Sequence, residues 1–253
     1  MTAVLSAQNL EKRFGAVVAA SDVSVTINNG ERVGVIGANG AGKTTFVNMV
    51  TGYLKPDSGS IHHNEHDITG LDPRRIMRLG VHRSFQIPQI FPELTMFDNM
   101  LVALGVAGRT RPSVWRPLLE PDIASAAGQF LSRFGISDYR DQIAGKLPQG
   151  VRKLLDIAMA MVGDTSLLLL DEPTSGISAD EKGPVMDTIM AALEAANMTV
   201  MFVEHDMEVV ERYAPRVIAF YDGRVIADGR TEDVLADADV RTHVIGPELH
   251  RRG

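Results

Sequence analysis

The sequence contains no cysteine. That excludes a disulfide framework and any thiolate metal site, and it fits a reducing compartment. Long apolar runs are missing too. No window approaches the roughly 18 residues that a membrane-spanning helix needs, and "SLLLLD" (166–171) is far too short. The opening "MTAVLSAQNLEKRFG" lacks a basic segment followed by an apolar one, so no signal peptide is expected. Basic residues are outnumbered: 25 Lys and Arg against 32 Asp and Glu give a net charge of −7. An acidic chain is poorly suited to nucleic acid, whose binding runs on basic surface. If such a protein works at a membrane, another chain crosses it. What is present is ordinary for a globular domain, 45% hydrophobic and 23% charged, and 253 residues suffice for one sizeable core or a core with a smaller lobe.

The hydrophobic period changes along the chain. "VSVTI" (23–27) alternates as a strand and is closed by a turn at Asn28, Asn29 and Gly30. "RVGVIG" (32–37) is a short apolar strand, and "KTTFVNMVTGYL" (43–54) has helical spacing. "KPDSGSI" (55–61) reads as a turn and "IHHNEHDI" (61–68) as a small hairpin. Its histidines alternate between faces, which speaks against a shared metal. From 88 to 162 the pattern is helical, with a loose stretch "GRTRPSVWRPLLEPD" (108–122) whose "RTRPSVWR" reads as a solvated loop rather than a basic patch. From 167 the alternation resumes: strand "LLLLDEP", helix "DEKGPVMDTIMAALEAAN" with its methionines inward, strand "TVMFVEH", hairpin "VIAFYDGRVIADG", helix "TEDVLADADV". Near-continuous apolar strands alternating with helices predict an α/β fold with a parallel sheet covered on both faces. The helical lobe (about 88–162) is then inserted between core segments of about 1–87 and 163–253.

Two motifs carry chemistry. "GANGAGKTT" (Gly37, Ala38, Asn39, Gly40, Ala41, Gly42, Lys43, Thr44, Thr45) fits G-x-x-x-x-G-K-[ST] between a strand and a helix, the pattern of a P-loop NTPase. Its glycines let successive backbone N–H groups converge on a phosphate at a helix N-terminus. Lys43 reaches the β- and γ-phosphates, and the Thr44 hydroxyl is suited to Mg²⁺. The strand "LLLL" then delivers Asp171 to the sheet edge, where it can hold the metal, and Glu172 one residue on can orient and polarise water.

Together with "DEPTSG" (171–176), these motifs make the chain resemble the ATP-binding cassette family over essentially its whole length. The resemblance implies one domain spanning 1–253, with a RecA-like core, an antiparallel β subdomain and the helical lobe, and ATP and Mg²⁺ as its ligands. It assigns Phe14 in "KRFG" to stacking on adenine, with a core phenylalanine as the alternative. It also assigns Gln86 in "RSFQ" to Mg²⁺, the attacking water and the relay to a membrane partner, and His205 in "VEHD" to the γ-phosphate. Two marks depart from the pattern. The signature L-S-G-G-Q reads Leu147, Pro148, Gln149, Gly150, Val151, with Pro148 expected in a helix's first turn. Ser178 stands where the family usually has an aspartate, and Asp180 follows. In this family the signature completes a second cassette's site, so a partner ATPase, related or identical, is implied.

"HRSFQIPQIFPELTMFDNMLVA", "GYLKPDSGSI", "DITGLDPRRIMRLGV" and "GRTEDVLADADVRTHVIG" are similar to the ATPases of branched-chain (hydrophobic) amino acid importers. That likeness implies two transmembrane permease subunits, an indirect link to a periplasmic or extracellular solute-binding protein, and a peripheral position on the cytoplasmic face of the plasma membrane. A single cassette without a large insertion or a long regulatory extension favours transport over repair or translation roles. Transport of urea, amides or aromatic acids, lipopolysaccharide export, and a non-transport regulatory ATPase are the alternatives. Ile87, Ile90, Phe91 and Phe97 offer either a docking groove for the membrane partner or core.

Overall fold

The computed structural model describes residues 2–84, 86, 88–107 and 121–246. In chain order the strands and helices are β1 (Ala3–Phe14), β2 (Val17–Asn28), β3 (Arg32–Gly37), α1 (Lys43–Val50), β4 (Ser58–His63), β5 (His66–Asp67), α2 (Pro73–Arg78) and β6 (Val81–Ser84). Then come α3 (Met96–Ala107), α4 (Pro121–Arg133), α5 (Gln149–Ala160), β7 (Leu167–Asp171), α6 (Ala179–Ala195), β8 (Thr199–Val203), α7 (Met207–Tyr213), β9 (Arg216–Tyr221), β10 (Arg224–Arg230) and α8 (Thr231–Ala236). One sheet is antiparallel, in the order β2-β1-β4-β5. The other runs β10-β9-β3-β8-β7-β6 and is parallel from β9 to β6.

Burial on both faces explains the unbroken apolar strands. Leu167 and Leu169 of β7, with Met201 and Val203 of β8, pack toward α1 and the antiparallel sheet. Leu168, Leu170, Val200 and Phe202 pack on the opposite face, against the helices that follow β6. Successive residues of a strand point to opposite faces, so each buried strand residue serves one of the two cores. Met186 and Met190 are buried in the second core, as their helical spacing predicts.

Three local readings need correction. The helix expected over 43–54 stops at Val50, because Gly52 has φ 76° and a Cβ there would lie 2.4 Å from the Leu71 carbonyl oxygen. The turn expected over 55–61 is strand from Ser58 onward, because β1 supplies a partner for its backbone. The C-terminal helix breaks at Asp237, whose carboxylate accepts from the Asp239 and Val240 amides and starts a new turn. Phe97 lies in the core with Arg140 over its ring, Ile90 is half-buried and Phe91 is exposed, so a groove cannot use all of them. Ile87 and the stretch 109–116 lie outside the described residues.

Gly59 sits where β4 crosses β1, with φ 90° and its Cβ position 2.4 Å from the Asn9 carbonyl oxygen and 2.5 Å from that of Gln8. Gly59→Ala must strain the backbone and part the two strands. It should destabilise the fold by on the order of 3 kcal/mol, read as a melting temperature about 6–12 °C lower.

Candidate active site

The glycine loop leaves the end of β3 and runs into α1. Gly37 has φ 154° and no room for a side chain, since a Cβ would stand 2.5 Å from the Phe220 carbonyl oxygen. Gly42 has φ 103°, and a Cβ there would lie 2.7 Å from the Ala19 carbonyl oxygen. Gly42 is also the N-cap of α1, so no side chain satisfies the first-turn amides, and no acid stands among them. Those amides and the positive end of the helix dipole are what an anion requires. They border a hollow of about 150 Å³ lined by residues 39–45 together with Asp171, Glu172, Val203 and His205.

Lys43 is buried, and its ammonium donates to the carbonyl oxygens of Gly37 at 2.5 Å and Ala38 at 3.0 Å. Burial pulls its pKa below the ordinary lysine range, while Glu172 and Asp171 oppose that shift. Thr44 is exposed beside it, Thr45 is half-buried, Asn39 and Gly40 are exposed, and Ala41 is buried.

β7 carries Asp171 to the sheet end, where its carboxylate accepts from Arg83 at 2.5 Å. The other terminal nitrogen of Arg83 donates to the Asn48 side chain at 2.7 Å, so one guanidinium ties β6, α1 and β7 together. Glu172 follows with φ 46°, a left-handed conformation that is costly for a residue bearing a Cβ. Its backbone N–H donates to the Val203 carbonyl at 3.0 Å, which holds that conformation against the end of β8. The carboxylate is spanned from two sides. His205 Nε2 lies 3.0 Å from one oxygen, and Gln86 Nε2 donates to the other at 2.7 Å. The structure therefore brings Lys43, Thr44, Asp171, Glu172, His205 and Gln86 together. Ala38 contributes through its carbonyl.

Phe14 ends β1 and is 52% exposed, with Lys12 above its ring, so it is not a core residue. It does not line the hollow, and neither do Pro148, Gln149 and Gly150. Those three form the start of α5, and here the expected position shifts by one. Pro148 is the N-cap, ahead of the first turn, and its carbonyl accepts from the Arg152 amide at 3.1 Å. The side-chain oxygen of Gln149 accepts from the Arg152 guanidinium at 2.6 Å, and Gly150 is buried close to Val185. Ser178 caps α6, and its hydroxyl donates to Glu181 at 2.7 Å.

Glu204 was not singled out by sequence reasoning, yet it is buried and organises the neighbourhood. Its carboxylate accepts from the Thr174 amide at 3.0 Å, the Thr174 hydroxyl at 2.7 Å and the His205 amide at 3.1 Å. The only signal was a charge at the end of a buried strand, which must find partners. Arg83 was passed over in the same way, inside the stretch read for Gln86.

Among the described residues no helix is long and apolar enough to cross a membrane. The model of the family described as ABC transporter matches residues 20–175. A probable branched-chain amino acid transport ATP-binding protein LivG of Archaeoglobus fulgidus is 34% identical over 97% of this chain and 96% of its own length. The high-affinity branched-chain amino acid transport ATP-binding protein LivG of Salmonella typhimurium is 32% identical over 96% and 98%. Among solved structures, the ADP conformation of an ATP-binding cassette of an ABC transporter superposes with TM-score 0.84 at 30% identity, covering 95% of this chain and 97% of the other. CbiO1 from Clostridium perfringens, part of an ABC transporter complex, superposes with TM-score 0.82 at 26% identity, covering 95% and 93%. With a family match over residues 20–175 and relatives and solved structures matching nearly end to end, the chain belongs to the ABC transporter family.

Proposed function

We propose that this chain is the ATP-hydrolysing subunit of a membrane importer for branched-chain or other hydrophobic amino acids. One observation carries the chemistry: the Glu172 carboxylate is held between Gln86 and His205 at the mouth of the glycine loop. The first-turn amides of α1 and Lys43 bind the phosphates. Glu172 orients the attacking water and takes its proton, and His205 and Gln86 fix the carboxylate and face the γ-phosphate. Phe14 is exposed at the end of β1, where its ring would stack on adenine. The relatives' names support the cargo.

The oxygen donors fit Mg²⁺. Thr44, Asp171 and the Gln86 amide are hard ligands, and the exposed Thr44 hydroxyl can reach an ion shared with phosphate. Among the described residues no group of three or more His, Cys, Asp or Glu that could hold a metal ion occurs. Bound there, Mg²⁺ neutralises charge developing on the phosphates.

In this reading the domain comprises a core of about 1–87 and 163–253 and a helical lobe of about 88–162. The α5 N-terminus meets the nucleotide of a second cassette, related or identical, while the chain lies peripherally on the cytoplasmic membrane face against two permease subunits served by a solute-binding protein. ATP-driven leucine uptake into proteoliposomes holding the assembled transporter tests the assignment. ATPase activity stimulated by urea or an aromatic acid, with no leucine uptake, would overturn the cargo.

Pro148 removes both a hydroxyl and an amide from the surface offered to the partner's phosphate. Pro148→Ser in that assembly should raise the ATPase rate or ATP affinity by about tenfold, the value of one hydrogen bond to a charged group. An unchanged rate, with a loss on Gln149→Ala, would mean that Gln149 has taken over the contact.

A further inference from the structure

Asp156 lies two turns along α5 from Gln149, on the same face of the helix. It is a buried carboxylate, 5% exposed, in a position that packing alone would fill with an apolar residue. One of its oxygens accepts from the Ser84 hydroxyl and the other from the Gln89 amide at 2.8 Å. Ser84 and Gln89 bracket Gln86, so a single side chain grips the segment on both sides of the glutamine that touches Glu172. Asn99 secures the next stretch, accepting from the Phe91 amide at 2.8 Å and donating to its carbonyl at 3.0 Å. Lys153, buried one turn earlier on α5, interacts electrostatically with Asp156 and also with Asp171, Glu204 and Glu172.

We infer that Asp156 is a positioning residue that fastens the Gln86 segment to α5, so that a displacement of the α5 N-terminus moves Gln86 against Glu172. This rests on the proposed roles of Gln86 in turnover and of the α5 N-terminus at a partner's nucleotide. It adds a physical link between the two ends: the helix that would read one site carries the glutamine that serves the other. The link is short, buried and directional. Both donors are spent on one carboxylate, and burial makes each bond costly to leave unmade.

The choice of variants separates tether from charge. Asp156→Asn and Asp156→Ala remove the same charge beside Lys153. The amide of Asn can still accept from Gln89 and donate to the Ser84 hydroxyl, whereas Ala can do neither. In the full chain, Asp156→Ala should lower kcat roughly ten- to a hundredfold, the scale of a misplaced catalytic group. KM for ATP and the kcat of Asp156→Asn should stay within about twofold of the parent. Ser84→Ala cuts the same tether from the other side and replaces Asp156→Ala if that variant does not fold. In a Gln86→Ala background the gap between the Asp156 variants should close. The inference is overturned if Asn is as slow as Ala, or if the gap persists without Gln86. Should Gln86→Ala alone leave kcat unchanged, the role proposed for Gln86 fails first, and a gap between the Asp156 variants would then need another cause.

Discussion

Glu172→Gln should leave ATP binding intact and lower turnover by at least about 10²–10⁴-fold, the contribution of a positioned general base. The substitution keeps the shape of a side chain that sits between His205 and Gln86. It also keeps the left-handed backbone, whose hydrogen bond to Val203 does not involve the side chain. What it removes is the proton acceptor. In the proposed site the α1 amides and Lys43 hold the phosphates, and neither changes; losing a negative charge beside the phosphates favours the bound state. Calorimetry should therefore give an affinity at or above that of the parent, while phosphate release nearly stops. With hydrolysis blocked, the ATP-bound pairing of two cassettes should accumulate and be visible by light scattering. Phosphate release at the parental rate would remove Glu172 from its proposed role, and a monomer that persists with ATP would count against head-to-tail pairing.

The parts of this architecture that were legible in the sequence are those set by neighbours in the chain. Gly37, Gly40 and Gly42 permit a loop that few other residues allow, and the apolar runs 167–170 and 200–203 state their burial directly. Element ends were less legible because distant groups decide them. The Leu71 carbonyl crowds Gly52 just beyond the end of α1 at Val50, and β1 turns Ser58 into strand. The supporting contacts of the site were hidden for the same reason. Arg83 meets Asp171, Glu204 meets Thr174, and Asp156 meets Ser84 and Gln89 only after the sheet has assembled. A single charged letter in an apolar setting flags each as needing a partner but cannot name it. Pro148 shows a smaller gap of this kind: the sequence places it at the start of a helix, but only the backbone shows that it caps α5 ahead of the first turn.

Lys43→Ala should fail one step earlier than Glu172→Gln, at nucleotide binding. Lys43 is the basic side chain among the residues that line the hollow, and Asp171 and Glu172 face it there. Binding a triphosphate adds further negative charge to a place where two carboxylates already stand. The α1 amides supply partial charges, but only Lys43 brings a full one, and it is buried where screening by water is weak. The ammonium already donates to the Gly37 and Ala38 carbonyls, so the loop holds it in place and little further ordering is required when phosphate takes over those bonds. Its removal costs a charge-assisted hydrogen bond of about 3 kcal/mol, which lowers ATP affinity by at least about a hundredfold. Calorimetric titration with ATP under conditions that saturate the parent should then show no resolvable heat, while thermal unfolding without nucleotide should show a loss of only about 1–3 kcal/mol of stability, the cost of the lost bonds to the Gly37 and Ala38 carbonyls. Lys43→Arg gives the second arm. It retains the charge but brings a planar fork into a loop shaped around a single ammonium, so it should recover only part of the affinity. Parental affinity in the alanine variant would mean that the amides alone hold the phosphates, and it would refute the role assigned to Lys43.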